Sequence, residues 1–272
     1  MEEPQQFGRF QLHELINSGG MAEIWLATDE ENQHFALRRM QPVGFFDFAA
    51  KKRFVRGCEI LKEVSDHPLI IGYFEHGKID GSLYLLMEYL EGQNLKLWAA
   101  EGAPLINENI SAILIDMALA LEHVHDRGFM HLDFKPENVM LSRNASMRLV
   151  DFDLSKPIPK SPEKSKDNPG TPVYMAPEQL QGLPFDHRVD IFAYGVTAYE
   201  LLTGQKPFPG ENSGEILRKQ IVRNHFLKPR EINPDIPENL ENIVMKCIES
   251  DMEERYPHMS VLARDVQSAL YL

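Results

Sequence analysis

Cysteine is scarce: only Cys58 and Cys247 occur in 272 residues, and they stand far apart. Two unclustered thiols exclude a disulfide framework and a cysteine zinc knuckle, and they suit a reducing, cytoplasmic setting. Positive charge is also short. The 28 Lys+Arg face 41 Asp+Glu, a net charge of −13. Non-specific binding to nucleic acid or to an anionic membrane needs the opposite sign, so neither is expected. A local basic site for a small anion is still compatible with that balance. Long apolar runs are missing as well, since a spanning helix needs roughly 20 apolar residues in succession. The best stretch, Ile110 to Leu121, is interrupted by Asp116 and reads as a buried helix, so no membrane span is expected. The start, Met1-Glu2-Glu3-Pro4, is acidic with no apolar run behind it, unlike a secretory signal. His123-Val124-His125 looks ligand-like, but helix positions i and i+2 do not face each other, so no metal site is expected there.

What is present is ordinary globular material: 43% apolar and 25% charged residues. The length suits one large domain or two lobes sharing a core. Up to about residue 90 the chain reads as short strands: Phe10 to Ile16, Glu23 to Thr28, His34 to Met40, Ile70 to Glu75 and Leu83 to Tyr89. Lys78-Ile79-Asp80-Gly81 has hairpin-turn chemistry. One helix interrupts them, Asp47 to Val64, with Phe54, Cys58 and Leu61 at a spacing of three to four. Beyond Glu91-Gly92 the pattern turns helical. Asn107 is the expected cap of a helix whose inward stripe is Ile110, Ile113, Leu114, Met117, Leu121 and Val124, ended by Gly128. A short β pattern covers Val139 to Leu141 and Met147 to Val150. The polar stretch Lys156 to Pro172 is too long for a simple turn and is expected to be a functional loop. Further helices are expected at Arg188 to Leu202, Gly214 to Arg223, Leu240 to Glu249 and His258 to Leu270.

Three motifs follow in order: His131-Leu132-Asp133-Phe134-Lys135-Pro136-Glu137-Asn138, then Asp151-Phe152-Asp153, then Gly170-Thr171-Pro172-Val173-Tyr174-Met175-Ala176-Pro177-Glu178. With them the chain resembles the protein kinases, in particular the bacterial-type Ser/Thr kinases, over nearly its whole length. The resemblance implies an α+β, two-lobed protein-kinase-like fold: a small antiparallel-sheet lobe (1–90) and a mainly helical lobe (91–272). It implies ATP with Mg²⁺ as cofactor and a protein partner or substrate. Phosphoryl transfer depends on positioning and charge neutralisation. By resemblance, Asp133 orients the attacking hydroxyl and Lys135 touches the transferred group. Asn138 and Asp151 hold Mg²⁺, an ion suited to hard oxygen ligands. The nucleotide side takes in Asn17, Gly19, Gly20, Ile24, Ala36, Arg38 and Met140, with Met87 as gatekeeper and Glu88 to Leu90 as the hinge whose backbone reads adenine. Thr171 matches a residue that bonds the catalytic Asp and Lys. Glu178 with Arg255, and Asp190, match fold-holding positions.

The same comparison exposes departures. The glycine-rich loop keeps Gly19 of its pattern, with Asn17 and Ala22 at the flanking positions. Arg38 stands where the family has lysine, and its planar fork is not a point charge. The helix position of the pairing glutamate falls on Gly57, or on Cys58 in the alternative register. Glu59 is about 200° away around the helix from Gly57 and faces elsewhere. Leu132 replaces the arginine beside the catalytic Asp. Asp153 replaces a glycine, either as a further metal ligand or as a lock on the loop. The Lys51-Lys52-Arg53…Arg56 run reads as a solvated face, or else as a docking surface. With its glutamate gone, Arg38 is expected to be unoriented. The reading that follows is a pseudokinase, inactive or nearly so, that acts as a scaffold or allosteric partner, with Mg-ATP binding left open. The alternative is a weak or atypical Ser/Thr kinase that uses Arg38.

Overall fold

Alternating aromatic and aliphatic residues near the N-terminus build one sheet. The computed structural model describes residues 5–19, 22–41, 48–165, 169–223 and 226–270. Its first strands are β1 (Gln5–Phe7), β2 (Phe10–Ser18), β3 (Ala22–Thr28) and β4 (His34–Met40). Helix α1 (Phe48–Val64) follows, then β5 (Tyr73–Ile79) and β6 (Ser82–Glu88). The six strands pair antiparallel in the order β1-β2-β3-β4-β6-β5. One face buries Phe7, Phe10, Leu12, Phe35, Leu37, Tyr84 and Leu86 in a small core. Helix α1 inserts Phe54, Cys58, Leu61 and Val64 into the main core. The expected hairpin closes on Asp80 and Gly81 with φ of 47° and 85°. Two positive φ values are what a two-residue turn matching the strand twist requires.

Two expectations here need correction. Strand β5 starts at Tyr73, because Ile70 is used in an isolated parallel bridge to Leu149 and Ile71 N–H donates to Leu149 O. These bonds tie the sheet lobe to the rest of the chain. Strand β1 has no counterpart in the sequence reading, since Gln5–Phe7 is too short to show a period.

The larger part begins with β7 (Gly92–Asn94), α2 (Leu95–Ala100), α3 (Pro104–Asp126) and β8 (Phe129–Met130). It continues through β9 (Val139–Ser142), β10 (Met147–Leu149) and β11 (Lys156–Pro157). The helices α4 (Pro177–Leu180), α5 (Arg188–Thr203), α6 (Ser213–Val222), α7 (Pro229–Ile232), α8 (Glu238–Cys247) and α9 (Met259–Leu270) complete it. Strands β10-β9-β7 form one small sheet and β11-β8 another. The α+β, two-lobed arrangement expected from the motifs is therefore present: a curled antiparallel sheet with one main helix, then a helical lobe.

Helix α3 starts at Pro104 with Ala103 as its cap, not at Asn107, which lies exposed inside the helix. Proline at the first helical position needs no N–H partner and has its φ already set, so it starts the helix without a side-chain cap. Helix α3 is also long and apolar enough to cross a membrane by length and composition. Its stripe, Ile113, Leu114, Met117, Leu121 and Val124, is buried in the main core, where α3 packs on α5 and α9. Cys58 and Cys247 are both buried and free.

Candidate active site

The segment 131–138 is held by bonds from three directions. Asp190, fully buried on the first turn of α5, accepts His131 N–H and Leu132 N–H at 2.8 Å each. His125 Nε2 meets the same carboxylate at 2.9 Å. Leu132 sits at φ 65°, a left-handed conformation that costs a non-glycine residue about 1–3 kcal/mol. The two bonds to Asp190 on either side of that peptide hold it there. Burial alone would raise the Asp190 carboxyl, but His125, His131 and the Leu132 N–H outweigh it and hold it below the ordinary carboxylate range. The His131 ring, as the Nε2–H tautomer, donates to Val150 O at 3.1 Å and accepts Asp133 N–H on Nδ1 at 3.3 Å. It thereby links the loop to the approach of Asp151.

On that frame four side chains converge. Lys135 Nζ donates to Asp133 Oδ2 at 2.7 Å and to Thr171 Oγ1 at 2.8 Å. Asn138 Nδ2 donates to Asp133 O at 2.8 Å and to Oδ2 at 3.0 Å. Thr171 Oγ1 lies 3.5 Å from Asp133 Oδ1. Asp133 is thus fixed by Lys135 and Asn138. Because the Asn138 nitrogen is spent on Asp133, its oxygen is the atom left to offer a cation.

The second cluster surrounds Arg38 on β4. Its two terminal nitrogens donate to the two carboxylate oxygens of Asp153, at 2.8 and 2.7 Å. Asp151 Oδ1 lies 3.6 Å from Nη1. Burial works against the Arg38 charge, and Asp151 and Asp153 together more than offset it, so its pKa lies above the ordinary arginine value. Burial would likewise raise the Asp151 carboxyl, but Arg38 and the Asp153 N–H pull it below its usual value. Burial pushes the neighbouring Cys58 thiol up to about 12. Arg56 Nη2 donates to Asp153 O at 3.1 Å. The basic run is therefore split. Lys51 and Lys52 are exposed, whereas Arg53 and Arg56 line a cavity of about 300 Å³ with Lys156 and Lys164.

The expected nucleotide-side residues are spread over the sheet lobe and its junction. Asn17 is exposed at a register shift of β2 and pairs with Ile24 on β3. Gly19 N–H donates to Ala22 O at 3.0 Å, while Gly20 lies outside the described residues. Ile24 pairs with Arg38, and buried Ala36 pairs with Met87. Met87 and Leu90 are half-buried at and just past the end of β6, and Met140 is half-buried on β9. Glu88 turns its carboxylate onto Arg148, at 2.9 and 3.0 Å, and onto Gly72 N–H at 3.1 Å. Its backbone N–H donates to Gly72 O at 2.8 Å as well.

A family model described as "Protein kinase domain" matches residues 10–266. The chain belongs to the protein kinase domain family. It is similar to the probable serine/threonine-protein kinase PknB of Lactococcus lactis, 30% identical over 267 residues that cover 97% of this chain and 42% of the relative. It is similar to the serine/threonine-protein kinase PrkC of Bacillus subtilis, 29% identical over 267 residues, 96% of this chain and 40% of that one. The chain thus spans about two fifths of the length of these relatives.

As a protein kinase domain, the chain has donors of the right chemistry for Mg-ATP. Asn138 and Asp151 carry hard oxygens that would suit a magnesium ion, and Arg38 and Lys135 carry cations that would suit phosphate. Among the described residues, a Cβ built on Gly19 would meet Ala22 O, at an ordinary 3.8 Å. The expectation that Arg38 is unoriented is corrected by its bidentate bond to Asp153. Gly57 is the buried helix residue facing that loop, and Glu59 points to His76 at 3.1 Å instead. Sequence reasoning named Asp153 only as a metal ligand or a lock. No periodicity or motif links Asp153 to Arg38 across 115 positions, so no sequence signal marks the pair.

Proposed function

We propose that this domain is a Ser/Thr protein kinase that transfers the γ-phosphoryl group of Mg-ATP to a protein hydroxyl, with Arg38 in the lysine position. The observation that carries the reading is the closed set Asp133, Lys135, Asn138 and Thr171, with every bond at 2.7–3.5 Å. Such a transfer rests on positioning and on neutralising charge, and these residues supply both. Asp133 accepts the proton of the attacking hydroxyl. Lys135 stays within reach of the transferred group while holding Asp133 and Thr171. Asn138 and Asp151 provide the oxygens for Mg²⁺, which when bound neutralises the phosphate charge. The names of the relatives, both serine/threonine-protein kinases, support the same class. The scaffold reading retains one specific observation in its favour: both terminal nitrogens of Arg38 already serve Asp153.

The test combines binding and transfer. Mg-ATP at 100 times its Kd stabilises a protein by about 2.7 kcal/mol, a shift a thermal melt resolves. We expect that shift, and transfer of labelled γ-phosphate to a generic protein substrate that disappears in Asp133→Ala. No melt shift at millimolar Mg-ATP defeats the nucleotide reading. Binding without any Asp133-dependent transfer favours the scaffold.

A further inference from the structure

We infer that Asp153 is the positioning residue for Arg38 in nucleotide binding: the carboxylate that braces the strand cation sits on the loop after Asp151, and Gly57 is the residue that makes room for it. The inference rests on the function proposed above and deepens it.

Three residues on three elements carry it. Arg38 and Asp153 form a fork-to-fork pair at 2.8 and 2.7 Å, with side chains only 14% and 12% exposed. Such a bidentate pair fixes direction as well as distance. The Arg38 guanidinium also lies over the Phe54 ring of α1, 5.3 Å from its centre. On α1, a Cβ at position 57 would stand 2.9 Å from Asp153 Cα, 2.9 Å from Asp153 Oδ1 and 2.9 Å from Phe152 O. Any side chain there, a glutamate included, would displace the loop that carries the brace. Arg56, one residue earlier, bonds Asp153 O and fastens the loop to the same helix. Among the described residues, the ion-pair partners of Arg38 are Asp153 and Asp151.

The division between those two carboxylates matters for the ligand. Asp151 is the oxygen donor assigned to the metal. With Asp153 holding the fork, Arg38 stays 3.6 Å from Asp151. Without the Asp153 charge, Arg38 has one carboxylate left to close upon, and that closure removes both a free metal ligand and a phosphate-facing cation.

The experiment is a double-mutant cycle on Mg-ATP affinity, measured by calorimetric titration, with melting of the unliganded variants as the check on folding. Asp153→Asn is expected to raise the Kd on the order of 10-fold, the scale seen when a group that orients a metal-site ligand is lost. Arg38→Met is expected to do the same, and the double variant to do no worse than either single one, because both remove one interaction. Asp153→Glu, which keeps the charge, is expected to restore most of the affinity. Arg38→Lys is expected to weaken binding even though it installs the family residue, since an ammonium cannot grip both oxygens of Asp153. Native affinity in Asp153→Asn, or losses that add in the double variant, overturns the inference and leaves the kinase reading standing. Failure of the native protein to bind Mg-ATP overturns both. Should Asp153→Asn not fold, Arg38→Lys decides, and affinity equal to native or better overturns the inference.

Discussion

Replacing Gly57 by alanine sets two local effects against each other. In the middle of a helix alanine is better than glycine by about 1 kcal/mol, because glycine loses more backbone freedom on folding. Position 57 lies well inside the 17-residue helix α1, so that gain applies in full. Against it stands the new methyl group, 2.9 Å from three atoms. One of them, Asp153 Oδ1, belongs to a side chain whose carboxylate is pinned by Arg38, and the other two, Asp153 Cα and Phe152 O, are backbone. Phe152 itself is buried beside the His131 ring, so the loop has little freedom to retreat. Overpacking a well-filled site costs about 1–3 kcal/mol. The balance is a net loss of up to about 2 kcal/mol, or at most roughly 4–8 °C in melting temperature for a domain of this size. The assay is thermal melting of the native and Gly57→Ala proteins, with Lys52→Ala, an exposed position on the same helix, as the propensity control. A Gly57→Ala protein that melts higher than native by the full propensity gain would refute the reasoning, because the loop would then have moved aside at no cost.

Other parts of the structure make further predictions. Glu178 and Arg255 form a buried bidentate pair at 2.6 and 2.8 Å, and Arg255 also rests on Phe192. Glu178→Ala strands a buried charge and is expected to cost about 3–5 kcal/mol, read as a lower midpoint in denaturant unfolding. The Asp190 carboxyl is held below its ordinary range in the folded state, so its contribution to stability is full above the unfolded value near pH 4 and is lost as pH falls through the folded value. Urea unfolding below pH 4 is expected to show a steeper acid loss for the native protein than for Asp190→Asn. Lys135→Ala is expected to lower kcat by about 10²–10³ with a smaller change in the KM for ATP, measured by steady-state transfer, since Lys135 holds Asp133 and the transferred group more than the nucleotide.

The fold was readable where local pattern and tertiary demand agree. Helix α5 runs from Arg188 to Thr203 within a residue of its expected span, because it is a continuous, mostly apolar run buried on all sides from Val189 to Tyr199 and Gly204 ends it in a left-handed cap. The start of α3 was misplaced because Asn107 is a better cap in isolation than Ala103, while Pro104 decides the matter by geometry. The cluster around Asp133 was named through the resemblance to the kinases: Asp133, Lys135 and Asn138 fall in one short motif and Thr171 in another, and the structure brings their side chains together. The environment of Arg38 was not legible in the sequence. Its partner lies 115 positions away on another element, and the pairing depends on the absence of a side chain at Gly57, which no periodicity records. The Glu88–Arg148 pair escaped notice for a similar reason, since Arg148 reaches the carboxylate across 60 positions.

Where the bracing carboxylate sits decides which movement can release the cation. In the wider family the brace is a glutamate on the helix, so the position of that helix controls the pair. Here α1 touches the pair through a glycine, the Phe54 ring and the Arg56 bond, while the charge itself lies two residues past Asp151. Moving α1 pulls on the loop through the Arg56 bond to Asp153 O but does not carry the bracing carboxylate itself. Moving the loop would break the Arg38–Asp153 bonds and shift Asp151 in the same event. Cation orientation and metal-ligand placement are therefore coupled in one segment, and a perturbation that displaces 151–153 should lose phosphate and metal contacts together, whether it acts on the loop directly or through the Arg56 bond from α1.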